Sequence, residues 1–75
     1  MAVEQVERVV VTVDDAYLPT IQALATALEG AGLRVTNVLA TVGIITGEVS
    51  RLKIHSLEAL PGVAAVELDQ EMRAI

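Results

Sequence analysis

Apolar and polar positions alternate along residues 8–13: Val9, Val11 and Val13 share one face of an extended chain, and Val10 and Thr12 share the other. Both faces are largely apolar, which predicts an interior strand. Asp14 and Asp15 then supply a helix-start signal, and Pro19 suits a first helical turn. From there Ile21, Leu24, Ala25 and Leu28 recur at helical spacing, with Gln22, Thr26 and Glu29 off the stripe. Gly30 and Gly32 stop that helix by permitting left-handed backbone. Two further strand-like runs follow, Leu33–Leu39 and Val42–Val49, and the short break near Ala40–Thr41 predicts a hairpin. Ser50 is a helix cap for a second, shorter helix reaching Leu60, whose wheel places Leu52, Ile54, Leu57 and Leu60 on one broad apolar half. Lys53 falls within that half and is expected to snorkel. A turn at Pro61–Val63 leads to the last strand, within "VAAVELD".

The order β-α-β-β-α-β contains two β-α-β crossovers, each right-handed by preference. Interleaved, they give an α+β ferredoxin-like sandwich: a four-stranded antiparallel sheet with two helices on one face. The strands of residues 8–13 and 42–49 are expected at the centre. Residues 1–75 read as a single domain, with residues 70–75 an extended C-terminal tail.

Composition changes this picture in three ways. The chain has 75 residues and no cysteine, so an aliphatic core must hold it without disulfides or a cysteine zinc site. Its formal net charge of −5 argues against nucleic acid and anionic membrane surfaces as partners. Mean hydropathy is positive, yet no apolar run approaches the roughly 20 residues of a membrane span, and "MAVEQVERVVVTVDD" does not resemble a secretory signal; a cytoplasmic location is the expectation.

Candidate chemistry is sparse. His55 is the single histidine and falls on the polar half of the second helix; a solvated surface role is expected. The adjacent Asp14 and Asp15 read as caps rather than an acid/base pair. "GIITG" lacks the lysine and hydroxyl of a phosphate loop. Tyr17 alone makes no stacking platform for RNA, and Lys53 alone offers no plausible pocket for carbonyl chemistry. The expectation is a non-catalytic protein with no cofactor and no metal.

The two helices of such a sandwich leave one sheet face uncovered. Small and aliphatic residues, Ile45, Gly47 and Ala65, are expected to make that face a contact surface, against the plainer alternative of ordinary surface residues. In the last strand Glu67 and Asp69 project on one side, about 7 Å apart by strand geometry. They could meet the N-termini of two helices on a partner, or protect an edge strand from aggregation.

"ITGEVS…LKIHSLEALPGVAAVELDQEMRAI" resembles the propeptides of subtilisin-like serine proteases and the free-standing small inhibitors related to them. The similarity rests on Ile45, Gly47, Leu57, Leu60, Pro61, Gly62, Val63, Val66, Glu67 and Asp69, and covers about the last 30 residues. Where that family often has an aromatic residue, Glu48 stands here. The resemblance implies the same sandwich fold and an inhibitor, also a folding chaperone, of a subtilisin-like serine protease. It implies that the open sheet face packs on two helices of the protease, that Glu67 and Asp69 cap them, and that Gln70, Glu71, Met72, Arg73, Ala74 and Ile75 occupy the active-site cleft. Ile75 would take the first specificity pocket and Met72 the fourth position back. A free-standing inhibitor or an excised domain fits better than a complete zymogen. The rival from another class is a small homodimeric module that joins through the open sheet face and binds a metabolite. The inhibitor is expected as a monomer when free, or as a homodimer through the open sheet face; gel filtration separates the two readings, since a concentration-independent dimer hiding that face disfavours the inhibitor.

Overall fold

Val9, Val11 and Val13 turn inward from the middle of the sheet. A computed structural model describes residues 5–69. Strand β1 (Val6–Val13) leads through a 3₁₀ turn (Asp15–Thr20) into helix α1 (Ile21–Gly30). Strands β2 (Arg34–Leu39) and β3 (Ile44–Ser50) form a hairpin, a short 3₁₀ turn (Arg51–Lys53) opens helix α2 (Ile54–Glu58), and strand β4 (Val63–Leu68) closes the order. All neighbouring strands are antiparallel and the sheet order is β2-β3-β1-β4. This is the ferredoxin-like α+β sandwich, with β1 and β3 central.

Both helices bury their apolar stripes against one sheet face. Ile21, Leu24, Ala25 and Leu28 of α1 and Leu57 of α2 join Val9, Val11, Val13, Leu33, Ile45 and Val49 in a single buried cluster. Burying a side chain of this size is worth about 1.5–3 kcal/mol, so aliphatic packing alone accounts for cohesion without an aromatic core.

Local chemistry sets the boundaries. Asp14 caps the 3₁₀ turn, its carboxylate accepting from the Ala16 N–H at 2.9 Å. Ser50 does the same for the Leu52 N–H at 3.3 Å. Helix α1 ends in a Schellman motif: the Leu33 N–H donates to the Leu28 carbonyl at 2.9 Å and the Gly32 N–H to Glu29 at 3.1 Å, with Gly32 at φ 112°. Leu28 and Leu33, both buried, supply the accompanying apolar contact. The Lys53 stem lies over Gly32, in line with the expected snorkel. At the far end Arg51 ties β3 to β1, bonding the Gln5 side chain at 2.7 Å and standing 3.8 Å from Glu7.

Leu52 departs from expectation: it is 83% exposed rather than part of the apolar half. A wheel drawn from Ser50 assumes 100° per residue, whereas residues 51–53 adopt the tighter 3₁₀ turn, which advances about 120° and rotates Leu52 outward. The hairpin turn is also longer than expected; β3 begins at Ile44 and Val42 is exposed.

Asp14→Ala removes a cap and is expected to cost about 1 kcal/mol. In a domain of this size that is a fall of roughly 4–8 °C in Tm, readable by circular dichroism.

Candidate functional site

The sheet face opposite the helices is organised in cross-strand rows that follow from strand register. Arg34 of β2 pairs with Glu48 of β3, and Glu48 pairs with Arg8 of β1. Asp69 continues the line: its N–H donates to the Arg8 carbonyl at 2.8 Å and its carboxylate stands 3.7 Å from the Arg8 guanidinium. The result is a row of alternating sign, Arg34, Glu48, Arg8, Asp69, spanning all four strands.

The next row is polar to mixed. Thr46 stands opposite Asn37, with a register shift at Thr36, and the Thr36 and Thr46 hydroxyls are 3.0 Å apart. Val10 separates Thr46 from Glu67. Beyond it lies a more apolar row of Leu39, Ile44, Thr12 and Ala65. Between the first two rows is a shallow depression of about 250 Å³, lined by Arg8, Thr36, Asn37, Thr46, Glu48 and Asp69 among others.

The candidate contact residues separate here. Ala65 does lie on the open face, half-buried beside Thr12. Ile45 and Gly47 do not. Ile45 is 0% exposed within the core under the helices, and Gly47, in register with Val9 and Val35, faces the same way. Their partners on the open face are the intervening residues Ile44, Thr46 and Glu48. A glycine is required at 47 for an internal reason: a Cβ there would run into the Arg34 carbonyl oxygen and meet the Leu33 side chain at 3.0 Å. The small residue admits the neighbouring strand and Leu33, not an outside partner.

Glu67 and Asp69 differ in setting. Glu67 is exposed on edge strand β4, directly across from Val10. Asp69 is half-buried and faces Arg8. Such an exposed pair is worth up to about 1 kcal/mol and orients the carboxylate more than it stabilises the fold. Gln70, Glu71, Met72, Arg73, Ala74 and Ile75, the expected tail, lie outside the described residues.

On the helical side, a second, apolar groove of about 250 Å³ runs between α1 and the α2–β4 turn, lined by Tyr17, Thr20, Ala23, Leu24, Ala27, Leu60 and Pro61. Sequence periodicity gave no hint of it, because its walls come from the off-stripe alanines of α1. The available signal was the single aromatic residue. The Tyr17 ring lies against Gly62, where φ is 97° and a Cβ would come within 2.7 Å of the ring.

His55 is solvated, with 96% of its side chain exposed, and stands 3.4 Å from Glu58. Among the described residues no group of three or more His, Cys, Asp or Glu side chains could hold a metal ion. Among them, too, no helix is long and apolar enough to cross a membrane. Comparison with family models, with curated proteins and with solved structures returned no match, so the reading of this site rests on its own geometry and on the resemblance of its last 30 or so residues.

Proposed function

We propose that this domain is a non-catalytic inhibitor of a subtilisin-like serine protease, docking through its open sheet face and placing its C-terminal residues in the active-site cleft. The same docking suits a folding-chaperone role toward that protease. The observation that carries the reading is Glu67: an exposed carboxylate on an outer strand, level with Val10 and two residues from Ala65 on the open face, three residues before the tail begins. A carboxylate so placed suits the N–H groups at a helix N-terminus, which favour anions through both unsatisfied donors and the helix dipole. Ala65 and Thr12, small neighbours on the same face, let a helix approach closely. Asp69 is the second anchor, steered by Arg8.

The test is an inhibition assay against subtilisin with Glu67→Ala and Asp69→Ala, singly and together. Charge-assisted hydrogen bonds contribute about 1.5–3 kcal/mol each, so Glu67→Ala is expected to weaken inhibition by roughly 10- to 150-fold with no change in Tm. Asp69→Ala also gives up the Arg8 pair, so it is expected to lower both inhibition and, slightly, stability. A double variant that inhibits as tightly as the parent would show that these acids do not cap partner helices.

A further inference from the structure

The charged row has a symmetry that a docking face for a foreign helix does not require. Read across the sheet in the order β2-β3-β1-β4, its signs are plus, minus, plus, minus. We infer that the open face is self-complementary and that two copies of the chain associate face to face about a two-fold axis parallel to the strands, passing between β3 and β1.

Rotation about that axis lays β4 of one copy over β2 of the other, and β1 over β3. Arg34 then meets Asp69 of the second copy, and Glu48 meets its Arg8, each pair occurring twice. The most apolar row also matches, with Leu39 over Ala65 and Ile44 over Thr12, while the row between sets Asn37 against Glu67 and Thr46 against Val10. The alternatives fail on the same rows. A two-fold axis lying along the charged row puts Arg34 on Arg34 and Glu48 on Glu48. One across the strands at the middle of the face turns the charged row onto Leu39, Ile44 and Ala65. Aligned packing of two sheets also keeps their strands within about 30° of each other, as the parallel axis requires.

Area sets the strength. Four strands about 4.8 Å apart and some seven residues long present roughly 500 Å² per copy. The pair therefore buries about 1,000 Å², at the lower limit of specific interfaces, and the dimer is a weak one that dissociates on dilution. Charge complementarity at such an interface sets orientation more than affinity. The inference stands without the inhibitor reading. If both hold, the dimer hides Glu67 and must open before a protease can dock.

The experiment is sedimentation equilibrium of the full chain over micromolar to millimolar concentration, with two variants, Glu48→Arg and Arg8→Glu. The parent mass is expected to rise from 7.9 kDa toward twice that value. Glu48→Arg sets two arginines against arginines of its own kind, and Arg8→Glu sets glutamates against glutamates, so each alone is expected to stay monomeric. Mixed in equal amounts they regain complementarity, and the dimer returns. Circular dichroism confirms the fold of each, and the like-charge neighbours within each variant persist in the mixture, so rescue reports the contact between chains alone. A parent that stays monomeric throughout overturns the inference, as do single variants that dimerise like the parent or a mixture that fails to associate. Protease inhibition is not part of the readout, so neither result bears on the inhibitor assay.

Discussion

Deletion of residues 70–75 is expected to abolish inhibition of subtilisin while leaving the unfolding transition where it was. Among the described residues the four strands pair without them: the last inter-strand bond there is the Asp69 N–H to the Arg8 carbonyl at 2.8 Å, and the described residues packed in or against the core lie between Val9 and Val66. Docking by the sheet face alone would leave the protease cleft open to substrate. The six-residue peptide alone is expected to inhibit poorly as well, because ordering each backbone residue costs about 1–2 kcal/mol with no second contact to offset it. Tethered to a docked sheet, the same peptide experiences an effective concentration in the millimolar range. Adding truncated domain and free peptide together should therefore not reproduce the parent, since the tether is what is lost. Inhibition constants for parent, truncated chain, peptide and mixture decide the matter. Full inhibition by the truncated chain would remove the tail from the mechanism.

How far the sequence led depends on which periodicity carried each element. Val9, Val11 and Val13 and the stripe Ile21, Leu24, Ala25, Leu28 obey single, uninterrupted periods, and their burial follows directly. The central placement of β1 and β3 came from the handedness of crossovers and needed no side-chain detail. The caps at Asp14 and Ser50 and the stop at Gly32 were legible because each requires a residue of particular chemistry. Pattern and structure part where the period changes or is interrupted. The 3₁₀ turn carries Leu52 out of the apolar half, and β3 turns its polar alternation, Thr46, Glu48 and Ser50, to the open face while Ile45, Gly47 and Val49 face the core. Gly47 interrupts the apolar side of that alternation, so its face is not marked by pattern alone. The charged row was out of reach, because it depends on register. Register in this hairpin is set by a turn without Asn-Gly or Asp-Gly chemistry and by the shift at Thr36, neither of which follows from pattern alone.

Gly47 separates the two accounts of its own smallness most sharply. If the residue admitted a docking partner, Gly47→Ala would weaken protease binding and leave stability unchanged. The structure requires the reverse order of effects. A Cβ at 47 collides with the Arg34 carbonyl oxygen, a backbone atom that cannot rotate away, and it presses on Leu33, which is itself buried. Relief demands that β2 part from β3 at the Val35–Gly47 pair, disturbing the shift at Thr36 and withdrawing Val35 and Leu33 from the core. Overpacking of this kind costs about 1–3 kcal/mol and more where backbone must move. A domain of 75 residues has in total roughly 4–11 kcal/mol to lose. The expected result in urea is a large fall in the midpoint with little change in slope. Gly30→Ala is the matched control: it lies within α1 with nothing within 4 Å of an added Cβ. There the same substitution is expected to stabilise by about 0.5–1 kcal/mol through helix propensity and a less free unfolded chain. Opposite signs at the two glycines would place the cost at 47 in strand packing. A Gly47→Ala protein as stable as the parent would show that strand packing does not require a glycine there.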